Sequence, residues 1–206
     1  MNQATRTLLH VGCGPATKKN LLPYFHGDNW HELRVDINPD VNPDIVGTML
    51  DMSAVSSGTA DAVYSSHNIE HVYAHEVGLV LREFLRVLND DGFLVITCPD
   101  LKSVAALVAA GKLIDTAYVS PAGPIAPIDI LYGHRPPLAQ GNHYMAHKCG
   151  FTLDVLMGCI KEAGFASMAG AERPQAFDLW VVASKKALTD TDMHLLANTV
   201  LNSTQT

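Results

Sequence analysis

The sequence predicts an α/β fold with a doubly wound, mainly parallel sheet, and three observations carry that reading. Short β-prone runs alternate with helical patterns through the first hundred residues; the first run closes on the glycine turn Gly12-Cys13-Gly14; and an acid, Asp36, ends the second run. Such alternation implies parallel strands joined by crossovers, with helices covering both faces.

Each element has its own local signal. Thr7 to Val11 is a β-prone run stopped by the glycines and Pro15, after which Thr17 to Phe25 is expected to form one short helix. Further strands read from about His31 to Ile37, Ile45 to Leu50, Ala60 to Ser66 and Phe93 to Cys98. Between the last two, Val77, Val80, Leu81, Phe84, Leu85 and Leu88 recur at helical spacing, with Arg82, Glu83 and Arg86 on the other face. Asn89 to Gly92 should stop that helix. Residues 118 to 150 carry Pro121, Pro124, Pro127, Pro136 and Pro137 and no periodic apolar face, so they read as a lid or binding loop. Leu153, Leu156, Met157, Ile160 and Ala163 outline a helix ended by Gly164, and Phe177 to Ala183 reads as a strand that closes the sheet as a hairpin. From Thr189 onward, Met193, Leu196, Val200 and Leu201 fit either a short helix or a frayed end. The expected organisation is one domain over residues 1 to 188 and a tail over 189 to 206, without internal repeats.

Composition narrows the function. At 206 residues, 48% apolar and 17% charged, the chain can bury a full single core without metal or disulfide staples. Its net charge of -7 argues against wrapping a nucleic acid, and no basic stripe offsets it. Cys13, Cys98, Cys149 and Cys159 show neither close pairing nor zinc-finger spacing, and no apolar run is long enough to span a membrane, which fits a reducing cytoplasm. Oligomeric state leaves no mark in the sequence.

Chemistry concentrates at the glycine turn. Gly12 and Gly14 let a ligand approach the carboxyl end of the first strand, where open α/β sheets bind ligands, and Asp36 can accept hydrogen bonds from both hydroxyls of a ribose. The dinucleotide fingerprint G-x-G-x-x-G would need glycine where Thr17 stands, which speaks against a pyrophosphate cradle and a nicotinamide oxidoreductase.

LLHVGCG, RVDINPD at 34 to 40, DM at 51 to 52, YSSHNIEHV at 64 to 72, LREFLRVLNDDGFLVITCPDL at 81 to 101 and CGFTLDVLMGCIKEAGF at 149 to 165 together resemble a class I S-adenosylmethionine-dependent methyltransferase. The similarity is closest to small bacterial predicted methyltransferases with an EH pair after the fourth strand and PDL after the fifth, and it covers about residues 7 to 186. The resemblance implies a Rossmann-like, mostly parallel seven-stranded sheet with an antiparallel last strand. It also places the methionine portion of the cofactor at Gly12 and Gly14, the ribose at Asp36, and the adenine amine at Asp51 with Met52 beside the ring. The expected cofactor set is Gly12, Cys13, Gly14, Asp36, Ile37, Asp51, Met52 and Ser66, with Cys13 as a small packing residue rather than a nucleophile. This chain departs from the pattern in three ways: His10 and Ala16 replace the acid and third glycine of the motif, and Ile37 to Asp44 is too short for the usual crossover helix.

Histidines supply the candidate reacting groups. His67, His71 and His75 run at i, i+4 and i+8, and His134, His143 and His147 lie in the long loop. His67-Asn68-Ile69-Glu70-His71 matches the zinc-protease pattern H-x-x-E-H, but His67 ends a strand, so the two rings need not share a helical face and no metal is expected. Glu70 and His71 read instead as capping or loop-positioning groups. A neutral imidazole at His67 suits a base acting on an acceptor hydroxyl, with Asp100 and His143 as weaker choices. Tyr132, Arg135 and Tyr144 are read as contacting the acceptor or anchoring the loop. The resulting expectation is a cytoplasmic enzyme that moves a methyl group from S-adenosylmethionine to a small-molecule or carbohydrate acceptor, with no nucleic-acid or membrane partner. The alternatives are a non-catalytic cofactor-binding or assembly protein, a nicotinamide-dependent oxidoreductase, which shares the fold but fails the glycine spacing, and an aminopropyltransferase. The last would want an acid near Ser65, Ser66 and His67 to bind its amine.

Overall fold

The computed structural model describes residues 5–203. A seven-stranded sheet forms the centre, built from β1 (Arg6–Val11), β2 (Trp30–Asp36), β3 (Ile45–Val46), β4 (Ala60–Ser66), β5 (Leu88–Pro99), β8 (Ser167–Arg173) and β9 (Asp178–Ser184). Its spatial order is β3-β2-β1-β4-β5-β9-β8. The first five strands run parallel, and β9 runs antiparallel to both β5 and β8. The order reverses between β1 and β4, the position at which open α/β sheets form a ligand crevice.

Strand alternation divides the core. Leu9, Val11, Val63, Leu94 and Ile96 face α1 (Val77–Val87) and α5 (Leu153–Ala163), where Val80, Leu81, Phe84, Leu156 and Ile160 are fully buried. Leu8, Ala62, Tyr64, Phe93 and Val95 face the opposite side, against Phe25, Trp30 and α6 (Asp190–Leu201). Each fully buried Leu or Phe contributes about 1.5–3 kcal/mol relative to exposure. The tail is therefore a packed helix rather than a frayed end: Met193, Ala197 and Val200 enter the second core, and the Thr189 hydroxyl accepts the Asp192 amide at 3.1 Å.

Three local expectations change. The helix expected over Thr17 to Phe25 is two 3-10 turns, Lys18–Asn20 and Pro23–Phe25, because Pro23 lacks a backbone donor and holds Leu22 extended. The third strand ends at Val46, and the chain then turns back so that Thr48 bridges Asp51. Asn89 to Gly92 do stop the helix, but they form the irregular start of β5 rather than a free loop. Between Asp36 and Ile45 only a 3-10 turn, Pro39–Val41, replaces the crossover helix, as the short spacing predicts.

The proline-rich segment is also ordered. After α2 (Leu101–Ala109), the hairpin of β6 (Tyr118–Ser120) and β7 (Gly123–Ile125) leads into α3 (Pro127–Tyr132) and α4 (Arg135–Ala139). Pro127, Pro136 and Pro137 sit in first turns, where the missing N–H costs no helical bond. Asp129 ties the two helices together, accepting the Ala126 amide at 3.0 Å and pairing with Arg135 at 2.6 Å.

Candidate active site

The glycine turn is fixed by charge as well as by backbone freedom. Gly12 has φ +67°, and a Cβ there would stand 2.3 Å from Nδ2 of Asn68. The Gly14 amide donates to Oδ2 of Asp36 at 2.7 Å, while Oδ1 of Asp36 accepts the Asn38 amide at 2.9 Å. Arg34, two residues earlier and therefore on the same side of β2, donates to the carbonyls of Gly14 at 2.7 Å, Ala16 at 3.0 Å and Asn42 at 2.8 Å. One guanidinium thus clamps the turn after β1 to the turn after β2. The alternation R-V-D ending a strand could have pointed to Arg34, which motif reading passes over.

A cavity of about 450 Å³ opens above these strand ends. Gly12, Gly14, Asp36, Ile37 and Asn38 line one side, Thr48, Met49 and Leu50 another, and His67, Asn68 and His71 a third. Asn142, Tyr144, Met145 and Lys148 of the proline-rich segment complete the wall. Of the expected cofactor set, Gly12, Gly14, Asp36 and Ile37 share this cavity. Cys13 is buried beside the turn, and burial raises its thiol pKa, so it stays protonated. Asp51 is exposed with its carboxylate on the Ser53 amide, and Met52 is buried in the core with its amide on Glu83. Neither lines the cavity; their neighbours Met49 and Leu50 do. Ser66 is engaged with the Thr97 hydroxyl at 2.8 Å and also lies outside the lining.

His67, the first candidate for a reacting group, follows the end of β4. His67 adopts φ +49°, a left-handed conformation that a bulky residue rarely takes, and its side chain is half exposed in the cavity. Nδ1 of His67 lies 3.6 Å from Oε1 of Glu70, a charge contact rather than a hydrogen bond. Burial pulls the His67 pKa down, but the Glu70 carboxylate outweighs it and holds the ring above its ordinary value. The other two candidates occupy different places. Asp100 is fully buried and caps α2, accepting the Lys102 and Ser103 amides at 3.0 and 3.2 Å and the Ser103 hydroxyl, so its oxygens are committed away from the cavity. His143 is exposed in a 3-10 turn, and its neighbours Asn142 and Tyr144 line the cavity in its stead. Arg135 anchors the loop through Asp129 rather than facing the cavity, whereas Tyr132 lines a second, smaller cavity. His10, in place of the usual acid, is buried against Tyr64 with Nδ1 2.9 Å from Glu32, outside the cavity lining.

A family model described as a methyltransferase domain matches residues 9–96, which span β1 to β5 and the glycine turn, Asp36 and His67. This segment, under half of the chain, is similar to a methyltransferase domain. The family carries S-adenosylmethionine as cofactor, and the cavity fits it: Gly12, where any Cβ would clash with Asn68, Gly14 beside open space, the Asp36 carboxylate with free lone pairs, and apolar Met49 and Leu50. Solved structures share the fold of the whole chain. A S-adenosylmethionine-dependent methyltransferase from Archaeoglobus fulgidus aligns at TM-score 0.58 and 16% identity, over 87% of this chain and 86% of its own. The 1,6-didemethyltoxoflavin-N1-methyltransferase of Burkholderia thailandensis, solved with S-adenosylhomocysteine, aligns at 0.54 and 14%, over 89% and 72%. A Bordetella parapertussis chain described as a possible exported protein aligns at 0.60 and 17%, over 90% of this chain, which spans 63% of that one. At these identities the likeness is one of fold. No curated protein matches this chain in sequence.

Proposed function

We propose that the methyltransferase acts on a small-molecule or carbohydrate acceptor held beneath residues 118–150. One observation carries this reading: a single cavity is walled by the glycine turn and Asp36 at one end and by Asn142, Tyr144, Met145 and Lys148 at the other. Its enclosure by a loop of polar and aromatic groups favours a compact acceptor, and one lysine among the lining residues is a poor cradle for a phosphate backbone.

S-adenosylmethionine, when bound, supplies an already activated methyl group on a sulfonium. The protein's task is then placement, which can lower a barrier by about 7–11 kcal/mol. Gly12 and Gly14 admit the amino-acid end, and Asp36 orients the ribose through charge-assisted hydrogen bonds. His67, half exposed in the same cavity, would take the proton released by an acceptor hydroxyl or amine. Tyr144 and Lys148 exclude water and orient the acceptor.

Release of S-adenosylhomocysteine on addition of separate metabolite, glycan and nucleic-acid pools tests the reading. Stimulation by the metabolite or glycan pool is expected. Stimulation by the nucleic-acid pool alone would overturn the acceptor class, and S-adenosylhomocysteine binding without turnover on any pool would favour a binding protein.

A further inference from the structure

The EH pair has a third partner, remote in sequence, and the three form a site the methyl-transfer reading does not use. Glu70 is 1% exposed, and neither oxygen of its carboxylate has a hydrogen-bond partner. A buried carboxylate without hydrogen bonds is costly, so its charge calls for another compensating group. One ring nitrogen each from His71 and His147, and one Glu70 oxygen, lie within 4.8 Å of one another, the one such set among the described residues.

Both imidazoles are held as metal-binding histidines are held. Nδ1 of His71 donates to the Ala146 carbonyl at 3.0 Å, and Nδ1 of His147 donates to the Ile130 carbonyl at 2.8 Å. Each bond fixes the tautomer that leaves Nε2 with a free lone pair. The His71 and His147 ring centroids are 4.9 Å apart, and the Glu70 carbonyl accepts the Lys148 amide at 2.7 Å, so the backbone already docks the loop against the EH turn.

We propose that Glu70, His71 and His147 bind one divalent zinc-class ion that clamps residues 146–149 to the turn after β4. Two imidazoles and a carboxylate suit zinc or a similar transition ion rather than calcium or magnesium, which favour all-oxygen shells. The H-x-x-E-H pattern names the wrong histidine pair: His147, from the far side of the chain, stands in the set where His67 does not. The site lies in the wall between two cavities, since His71 lines the cofactor cavity while Glu70 and His147 line the smaller one beneath α3. The proposal does not rest on the identity of the acceptor, although the ion would share the Glu70 carboxylate with its charge contact to His67.

Titration of the metal-stripped full chain with Co²⁺ alone, read by visible absorption, tests it. One saturable equivalent is expected, displaced by Zn²⁺, and Zn²⁺ should raise the melting temperature. His147→Ala and Glu70→Gln should each weaken Co²⁺ binding by about tenfold or more, while His75→Ala and His194→Ala, at exposed histidines outside the set, leave it unchanged. His147→Ala should still bind S-adenosylhomocysteine, which shows that it folds and separates this site from the cofactor site. No saturable Co²⁺ band in the wild type, or equal losses in His75→Ala and His147→Ala, would overturn the proposal. Should Glu70→Gln fail to fold, the wild-type titration and His147→Ala still decide.

Discussion

Gly14 and Asp36 are joined directly: the glycine amide donates to the carboxylate at 2.7 Å, tying the loop after β1 to the end of β2. The bond orients one Asp36 oxygen while leaving lone pairs on both for a ribose. On the proposed reading, cofactor recognition and turn geometry depend on the same carboxylate.

Gly12→Ala should damage that geometry. The added Cβ meets Asn68 at 2.3 Å in a backbone region that disfavours side chains, a strain of about 1–3 kcal/mol. Thermal unfolding should show the loss, with weaker S-adenosylhomocysteine binding.

Arg34→Met removes the guanidinium bonds to Gly14, Ala16, Val41 and Asn42 while keeping the aliphatic stem. Stability should fall by about 1–3 kcal/mol in urea unfolding, with a loss of cofactor affinity as the turn loosens.

His67→Ala should lower turnover by about 10²-fold or more while S-adenosylhomocysteine affinity stays within about threefold. Single-turnover kinetics with calorimetry separate the two. Parallel loss of affinity and turnover would make His67 a cofactor ligand instead, and full activity would remove it from the chemistry.

His10 gives the fold a pH dependence. Burial lowers its pKa below 6.5, only partly offset by Glu32, so the unfolded chain binds this proton at a higher pH than the folded one. Stability therefore falls as pH drops below about 6.5. Melting temperatures between pH 8 and 5.5 should decline less steeply in His10→Asn than in the wild type.

The sheet, and the turn and acid that wall one end of the cavity, were largely legible in the sequence, because each rests on a local signal. Short β-prone runs, the Gly12-Cys13-Gly14 turn and a strand-end Asp36 are each written within a few residues. What escaped was set by long-range contacts or by a single residue's backbone chemistry. Pro23 splits the expected helix; Asp129 and Arg135 order a segment that composition alone would leave loose. Asp100 has the motif position of a catalytic acid but the hydrogen bonds of a helix cap. Glu70 and His147 meet only once the loop folds back over β4, and neither spacing nor periodicity records that approach.

The central claim is that this cavity holds S-adenosylmethionine through the Asp36 carboxylate, and calorimetric titration with S-adenosylhomocysteine and with NAD tests it most directly. The wild type should bind S-adenosylhomocysteine and not NAD, and Asp36→Ala should weaken that binding by about 1.5–3 kcal/mol. Tight NAD binding with no heat from S-adenosylhomocysteine, or undiminished affinity in Asp36→Ala, would contradict it.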